Sequence, residues 1–525
     1  MLFDISFLNC TDWYNLNSVV LAVAGICFVL AFCFLSSNGT KPRKKAQNGD
    51  NLPPTGPTFS EFFPDGLKAH NQEGMIEKYG SIFTVPSPLP GVVPNQVVIN
   101  EPELVKELCI RQANMYRNPS NFTTRGDIFA KVTREVVGTG VTGLKGDEWQ
   151  WRKRALLKEF HRNKLLSEER GLLDAIIHEG KGLCEELEKA AEFATPVSVD
   201  HLTTKAAVGV VLFFLFGRHL EFETVEMRKA AKDMIDSLFE KLVNPFYIIA
   251  KFFPNTAACK TEKKLKNSKK IIDRVVATEL DVLLEEYNGT KARHPDRKEG
   301  SVMASLIANE PRFREGGTKS MLAEARVFVQ AGFETTAHSL SFAMGMMAER
   351  PDLAEKIYNQ GIKSFNGSTY YSADNMKKAM EETPLVSNFF SESFRLYPLA
   401  PALGGECTND IEITAKNGAK YTLPKGTATL FLNIPLQRQL KDEPNEIRLD
   451  RWEATPSEQP FLHTFQNGPH TCPGKPLSLL EGRVFLLLVA LHFKFEFPED
   501  KAKVEYEDNG LLRPKNGMPL IVKKR

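Results

Sequence analysis

The sequence predicts a mainly α-helical protein with a small β region. Helical periodicity with charged turns dominates residues 101–400, for example in "KKIIDRVVATELDVLLEEY". β-type alternation is confined to residues 82–100 and 411–432, where Pro and Gly interrupt β-branched runs. The chain contains no internal repeat, no glycine-rich phosphate loop and no stretch of the size of an added flavin domain. These patterns favour one large helical body.

The N-terminal stretch 18–35, "SVVLAVAGICFVLAFCFL", carries no charge and is long enough to cross a hydrocarbon core roughly 30 Å thick. Asp4 and Asp12 precede it, whereas a basic cluster follows at residues 41–45. Because Lys and Arg collect on the cytoplasmic side, we expect a lumenal tip and membrane anchor over residues 1–40, with the rest in the cytosol. A cleaved signal peptide and a buried helix are the alternatives.

The segment 41–60 is predicted to be a basic and Pro-rich linker. Pro53, Pro54 and Pro57 disfavour a helix and favour an extended connector. The catalytic body is therefore expected to cover residues 61–525. It opens with a β-hairpin over residues 82–100, and a later polar stretch, 288–300, is expected to form an exposed loop before a long helix from about Thr318.

The composition is that of an ordinary globular protein. Hydrophobic residues make up 42%, charged residues 25%, and the formal net charge is +2. This balance gives no indication of nucleic-acid binding. The cysteines have no paired or CxxC spacing, which indicates a reducing compartment without a disulfide framework.

Cys472 lies in "FQNGPHTCPG", just before a strongly apolar stretch of helical length that starts at Pro476. A helix N-terminus stabilises negative sulfur, so this cysteine is suited to holding a metal as a thiolate. Gly468 and Gly474 permit close approach to a flat ligand, and Phe465 is placed to exclude water. The alternative is an inert core cysteine.

The positions of Phe465, Gly468, Cys472 and Gly474 resemble the haem loop of the cytochrome P450 family. The resemblance implies the cytochrome P450 fold over the body, haem b as the cofactor and Cys472 as the axial ligand of its iron. The family usually has an Arg two residues before this cysteine, where the present chain has His470. Histidine still donates a hydrogen bond to a propionate, but its charge depends on pH.

A second motif, "AGFETTAHSL", resembles the helix that binds dioxygen in the same family. Ala331 and Gly332 form a notch of small residues, and the resemblance places both beside the cofactor. Glu334 and Thr335 are then the catalytic pair that delivers protons. A hydroxyl at Thr335 can also bond the carbonyl four residues earlier. Taken alone, the motif would indicate only packing.

Glu392 and Arg395 lie three residues apart on one helix face and, with Arg451, resemble the family's structural Glu-Arg-Arg triad. Taken alone, Glu392 and Arg395 would indicate a surface ion pair. The resemblance assigns this triad to the scaffold of the haem loop.

Trp149 and Lys153 resemble the helix whose Trp and basic residue clamp a haem propionate. The family usually has Arg at the second place, and Lys offers a point charge instead of a fork. A further propionate-binding Arg is replaced by Gly404, Gly405 and Glu406. The propionates are therefore expected to be held in a different way.

The resemblance implies a haem-thiolate monooxygenase that uses O2 and takes electrons from NADPH-cytochrome P450 reductase or a similar donor. It also implies a single-pass protein of the endoplasmic reticulum membrane, in contact with membrane lipid. A basic face for the electron donor is expected, or else a merely solvated surface. Its residues would be Arg152, Arg154, Lys158 and Lys475.

The apolar, aromatic stretch 244–254 favours a lipophilic small-molecule substrate such as a sterol, fatty acid, carotenoid or other terpenoid. Core packing is the alternative for this stretch. Two other functions stay open: an enzyme that rearranges peroxides, and a non-catalytic haem-binding membrane protein. The intact pair Glu334 and Thr335 argues against the first, and the weakened propionate contacts are the only support for the second.

Overall fold

The computed structural model describes residues 52–87, 95–113, 121–124, 126–193, 195–222, 224–244, 247–368, 370–440, 442–499 and 502–525. The predicted membrane anchor at residues 18–35 lies outside the described residues. The first described residues already belong to the packed body, since the amide of Thr84 donates to the carbonyl of Pro54 at 2.7 Å. The body thus includes residues from the C-terminal part of the predicted linker.

Helices form most of the described chain. They are α1 (Phe59–Glu61), α2 (Ala69–Tyr79), α3 (Pro102–Lys106), α4 (Asp127–Val137), α5 (Gly146–Glu159), α6 (Arg162–Leu165), α7 (Leu172–Phe193), α8 (Val199–Phe216), α9 (Thr224–Val243), α10 (Tyr247–Ala250), α11 (Ala257–Tyr287), α12 (Val302–Asn309), α13 (Pro311–Glu315), α14 (Gly317–Glu349), α15 (Pro351–Ser364), α16 (Ala373–Glu382), α17 (Pro384–Leu396), α18 (Asn433–Gln437) and α19 (Lys475–His492). Short π-helical turns cover Phe62–Gly66 and Glu107–Gln112, and 3₁₀ turns cover Val141–Gly143, Asp450–Trp452, Gly468–His470 and Lys515–Gly517.

The strands are short. They are β1 (Ile82–Val85), β2 (Gln96–Ile99), β3 (Phe122–Thr123), β4 (Val197–Ser198), β5 (Ala402–Cys407), β6 (Ile411–Thr414), β7 (Lys420–Leu423), β8 (Ala428–Leu432), β9 (Phe493–Glu496), β10 (Tyr506–Asp508), β11 (Leu512–Pro514) and β12 (Pro519–Lys524). The largest sheet has the order β1-β2-β8-β5-β3, and β4-β12-β9 form a second sheet. Two further two-stranded pairs, β6-β7 and β10-β11, occur among the described residues.

The core is built around two apolar helices, α8 and α14, which pack against each other. Almost every residue of α8 is buried, because α7 and α14 cover it. Within the described part of the chain, α8 is the one helix long and apolar enough to cross a membrane, but 83% of its apolar window is buried inside the body. This burial is that of a core helix in a globular body.

The predicted mainly α fold with a small β region is confirmed. Strands β1 and β2 form the predicted hairpin, with Ile82 opposite Ile99. The predicted loop at 288–300 lies between α11 and α12, and the long helix expected from about Thr318 begins at Gly317. The apolar C-terminal stretch forms α19, which begins three residues after Cys472.

Candidate functional site

The loop that carries Cys472 has a fixed shape and lies against the N-terminus of α19. The amide of Cys472 donates to the carbonyl of Phe465 at 2.8 Å and closes the loop. Gly468 has a φ of 71°, and a Cβ at this position would lie 2.0 Å from the backbone oxygen of Cys109. The loop therefore needs glycine at this place, both for its backbone conformation and for its contact with the π-helical turn below it.

The thiol of Cys472 faces a space inside the protein. The residue is exposed to a solvent-sized probe, yet burial raises the pKa of its thiol. Amides of Gly474 and Lys475 and the charge of Lys153 act in the opposite direction and lower this pKa. The sulfur is thus accessible in a desolvated setting, with donors that favour its anionic form.

Trp149 and Lys153 of α5 meet the Cys472 loop, as does His470 within it. The rings of Trp149 and His470 stack with centroids 4.3 Å apart. The ammonium of Lys153 donates to the carbonyls of Pro469 and Thr471, the latter at 2.9 Å. In this structure Lys153 therefore holds the loop backbone, and its predicted contact with a propionate stays a prediction.

Helix α14 has an accessible position at Ala331. This residue is exposed, although most of the helix around it is buried. Thr335 lies one turn later and is half-buried, and its hydroxyl donates to the carbonyl of Ala331 at 2.6 Å. The bond to the carbonyl four residues earlier, which the sequence predicted, is present. Ala331 and Thr335 thus form a small, partly accessible face on a buried helix.

Gly332 and Glu334 point away from that face. A Cβ at Gly332 would lie 2.7 Å from Cγ2 of Val211, so this glycine allows α14 to approach α8 closely. Glu334 is only 4% exposed, and its Oε1 accepts from Nε of Arg513 at 3.2 Å. His338, one turn further along α14, places Nε2 at 3.4 Å from the same oxygen. The acidic member of the predicted pair is therefore bound to partners in this structure.

The predicted structural triad is assembled. Arg395 and Glu392 form a fully buried bidentate pair at 2.7 and 2.8 Å. Arg451 donates to Glu392 at 3.2 Å, and the indole of Trp452 donates to its other oxygen at 3.0 Å. Because every oxygen of Glu392 has charged or strong donors, this buried charge is fully paired.

The departure at residues 404–406 has a packing explanation. A Cβ at Gly405 would lie 2.2 Å from Cζ of Phe122, so no larger residue fits in this strand without a shift. The carboxylate of Glu406 accepts from the amide of Asp127 at 3.1 Å, at the N-terminus of α4. An acid is suited to this end of a helix, since the helix dipole is positive there.

Arg152 does not belong to the expected basic face, and its inclusion there was wrong. It is buried, and its guanidinium pairs with Glu324 at 2.9 Å and with Glu148 at 2.9 Å. Arg154, Lys158 and Lys475 are exposed, with Lys158 paired to Glu310 at 2.9 Å. The expected basic face therefore has less exposed positive charge than was predicted, because Arg152 is buried and Lys158 is paired.

Sequence reasoning also missed the partners of Glu334. Arg513 lies 179 positions away along the chain, and Asp200, which binds His338, lies 138 positions from it. Only His338 carried a local signal, because a spacing of four residues places it on the same helix face as Glu334.

The chain is similar to proteins of one large family. The family model described as "Cytochrome P450" matches residues 54–522. Among curated proteins, the chain is 25% identical to cytochrome P450 3A16 of Mus musculus over 472 residues, which is 85% of each chain. It is 26% identical to cytochrome P450 3A1 of Rattus norvegicus over 466 residues, again 85% of each chain. The identity to cytochrome P450 3A6 of Oryctolagus cuniculus is 24% over 441 residues, or 81% of this chain and 82% of the relative.

Proposed function

The chain belongs to the cytochrome P450 family and is a cytochrome P450 monooxygenase, and from this premise we propose that it inserts one oxygen atom of O2 into a lipophilic organic substrate. Sterols, fatty acids, carotenoids and other terpenoids are the substrate classes. The electrons come from a separate donor, NADPH-cytochrome P450 reductase or a similar protein. The place of action is the endoplasmic reticulum membrane, with a single-pass anchor at the N-terminus.

The observation that carries the proposal is the accessible, desolvated thiol of Cys472. The family cofactor is haem with a cysteine thiolate on its iron, and it supplies the activation of O2 for insertion into a C–H bond. The residues of this chain fit that group: the sulfur faces an interior space, and amides of Gly474 and Lys475 favour its anionic form. Cys472 would therefore be the residue that binds the haem iron through its thiolate.

Other residues of the loop and of α5 would hold the rest of the group. Phe465 packs edge-on against Phe394, with ring centroids 4.9 Å apart, and shields the sulfur side of the loop. The stacked pair Trp149 and His470 offers two N–H groups to a propionate. Lys153 acts on the loop backbone and, through its charge, on the sulfur.

Thr335 and Glu334 manage protons on the opposite helix. The hydroxyl of Thr335 uses its proton to bond the carbonyl of Ala331, so its lone pairs face the accessible side of α14. Glu334, the residue before Thr335, is buried behind the accessible face and would exchange protons with this hydroxyl from that side. The small side chain of Ala331 leaves room on the accessible face for a diatomic molecule, while Gly332 lets α14 pack closely against α8 behind it.

The electron donor is proposed to bind on the side of Arg154, Lys158 and Lys475. A groove of about 280 Å³ lies beside α19 on this part of the molecule, and its apolar floor includes Pro476 and Leu479. The basic residues Arg162, Lys377 and Arg483 also line this groove, together with one acid, Glu381, whose Oε1 lies 3.5 Å from the guanidinium of Arg162. The lining therefore keeps an excess of positive charge. An acidic partner fits such a surface.

The carbon monoxide difference spectrum of the reduced protein tests the haem-thiolate assignment. We expect the long-wavelength Soret band typical of thiolate ligation in the wild type, its loss in Cys472→Ala, and its retention in the control Cys184→Ala. A Cys472→Ala protein with an unchanged Soret band would overturn the assignment of Cys472.

Reductase-dependent consumption of NADPH and O2 then separates the candidate functions. A monooxygenase consumes both when a lipophilic substrate is added, and the product contains one atom of labelled oxygen from O2. An enzyme that rearranges peroxides turns over without reductase or O2. A non-catalytic haem protein shows the band but no turnover with any of these substrates.

A further inference from the structure

Glu334 lies in a buried ionic cluster that joins three helices and one strand. On α14, its Oε1 is committed to Arg513 and faces His338, while its Oε2 has no hydrogen-bond partner within the described residues. The guanidinium of Arg513, on β11, also donates to Oδ1 of Asp236 on α9 at 2.8 Å. Asp236 is 35% exposed, so this arm of the cluster ends at solvent.

His338 is held from its other side by Asp200 of α8. Nδ1 of His338 lies 2.7 Å from Oδ1 of Asp200, which also accepts from the hydroxyl of Ser341 at 3.3 Å. Arg228 of α9 pairs with the second oxygen of Asp200 and is 32% exposed. His338 and Asp200 are themselves 4% and 1% exposed, so the imidazole has one fixed orientation inside the core.

The charges around His338 favour its protonated form. Burial acts against an imidazolium, but the carboxylates of Asp200 and Glu334 outweigh it and raise the pKa of His338 to about 9. The other charged groups that face this cluster are Arg228, Arg513 and Asp236. At neutral pH, Oε1 of Glu334 thus lies near two positively charged groups, His338 and Arg513.

We propose that His338, anchored by Asp200, is a positioning residue that fixes Oε1 of Glu334 and leaves Oε2 as the atom that takes up and passes on protons. The inference rests on the proposed role of Glu334 in proton delivery. When His338 is neutral, Arg513 alone holds Oε1. The carboxylate is then less restrained, and more of the electrons taken from NADPH are lost without forming product.

The pH dependence of coupling, measured as product formed per NADPH consumed, tests this role in the full-length holoprotein. We expect coupling to be constant from pH 7 and to fall with a midpoint near that of His338, about 9. Asp200→Asn removes the anchoring charge and should move the midpoint down by at least about one unit. His338→Gln should couple severalfold less well at pH 7 and show no such transition, whereas the exposed His161→Gln should match the wild type.

Histidine-selective ¹⁵N NMR of the reduced, carbon-monoxide-bound holoprotein measures the titration of His338 directly, without turnover. Its midpoint should equal the midpoint found for coupling. A transition in coupling that is unchanged in both Asp200→Asn and His338→Gln would overturn the role of His338 while the carbon monoxide band stays intact. Absence of that band in the wild type would instead overturn the proposed function. The two failures are therefore distinguishable.

A different part of the molecule carries a second inference. His178 and Glu179 of α7 and His219, just after α8, have ligand atoms that all lie within 4.8 Å of one another. Nδ1 of His219 is 3.0 Å from Oε1 of Glu179, and the two imidazole rings have centroids 4.5 Å apart. Both histidines are exposed, and the glutamate is half-buried.

Contacts independent of any ion position Glu179 and His219. A Cβ at Gly209 would lie 2.4–2.6 Å from the carboxyl group of Glu179, so the carboxylate rests directly on the backbone of α8. The ring of His219 lies 4.9 Å from that of Phe213. Gly217 ends α8 with a φ of 73°, and its carbonyl accepts from the amide of Lys298 at 2.7 Å.

Two imidazole nitrogens and one carboxylate oxygen are a donor set that suits Zn²⁺ and other divalent first-row metals. We infer that His178, Glu179 and His219 bind Zn²⁺ at a surface site that links α7 to the connection between α8 and α9. Water would complete the coordination, since Zn²⁺ prefers four ligands. This site is on the outside of the helical body and has no part in the proposed oxygenation.

Titration of the chelator-treated, detergent-solubilised full chain with Zn²⁺ by calorimetry tests the site. We expect one ion per chain at micromolar concentration and at least about tenfold weaker binding in His178→Gln and His219→Gln. His161→Gln should bind as the wild type does, and Mg²⁺, which prefers oxygen ligands, should not compete. Equal Zn²⁺ affinity in all three variants and the wild type would overturn the site.

Discussion

The two glycines of the Cys472 loop meet different constraints, although they are equivalent in the sequence pattern. Gly468 has a positive φ and touches the backbone of Cys109. Gly474 has a φ of −75°, and a Cβ there would meet only the sulfur of Cys472, at 3.7 Å. The protein itself therefore requires the first glycine, whereas the second is required only if a ligand lies against it.

Substitution of these glycines tests that difference. Gly468→Ala should lower the free energy of unfolding by about 1–3 kcal/mol and reduce the ratio of haem to protein severalfold, because both backbone strain and a clash result. Gly474→Ala should unfold like the wild type but bind less haem. Thermal unfolding and the haem content of purified protein are the measurements. A stable, fully haem-loaded Gly468→Ala would contradict the described contact.

His463 gives a pH dependence of stability on the acid side. It is fully buried, and burial lowers its pKa to about 4 from an ordinary value of 6.5. Between these values the unfolded chain binds a proton that the folded chain does not, so stability is lost as pH falls through this window. Urea unfolding at several pH values should show this slope, and His463→Gln should reduce it. An identical slope in the variant would show that other groups, such as paired carboxylates, cause the acid loss.

At the residue scale, the sequence predicted that Trp149, Lys153 and His470 lie at the Cys472 loop, but it did not predict their bonding partners. The bond of Thr335 to Ala331 was predictable, because it is set by helix geometry alone. Arg152 was misplaced because its partner Glu324 lies 172 positions away and draws the guanidinium inward. Long-range ion pairs of this kind leave no periodic signal in the sequence.

At the scale of elements, close helix approach depends on particular glycines. Gly482 of α19 faces α17, and a Cβ at this position would lie 1.9 Å from Cε1 of the buried Phe390. Gly182 of α7 is also in a helix interior, but a Cβ there would have no atom within 4 Å. These two positions separate the packing effect of an added methyl group from its effect on helix propensity.

Gly482→Ala should destabilise the protein by about 1–3 kcal/mol, because α17 or α19 must shift. Since α17 carries Glu392 and Arg395, the shift should also weaken the triad. Gly182→Ala should stabilise by up to about 1 kcal/mol through helix propensity. Denaturant unfolding of both variants measures the difference, and equal effects would mean that α17 and α19 do not approach as closely as described.

Element types were largely predictable, and their contacts were not. The hairpin of β1 and β2 and the start of α14 follow from local patterns of β-branched residues, Pro and Gly. The pairing of β2 with β8 joins segments more than 300 residues apart, and no local pattern indicates it. Likewise, the sequence showed only that Gly405 lies where the family usually has an arginine. The contact with Phe122 explains why a glycine is required there.

At the scale of the whole molecule, two long apolar segments receive different interpretations. The buried α8 is apolar because α7 and α14 surround it, as a core helix requires. The predicted anchor at residues 18–35 precedes the packed body, which has already begun at Pro54. Hydropathy alone does not separate a core helix from a membrane anchor. For α8, its burial within the body identifies it as a core helix.

Deletion of residues 1–40 tests the anchoring prediction. The truncated chain should move largely from the membrane pellet to the soluble fraction, because a span of apolar residues anchors far more strongly than a surface contact. Its carbon monoxide spectrum should match that of the full chain. A truncated protein that stays quantitatively in the pellet would point to further membrane contacts, with the predicted lipophilic stretch 244–254 as the first region to examine.

The contacts of the Cys472 loop have a consequence for how the enzyme is assembled. Its closure by Phe465 and its attachment to Lys153 involve protein groups alone. These contacts would support the shape of the loop in addition to the bond between Cys472 and the haem iron. Assembly of the enzyme would therefore depend on two sets of interactions, one within the chain and one with haem, and loss of either should lower the yield of haem-loaded protein.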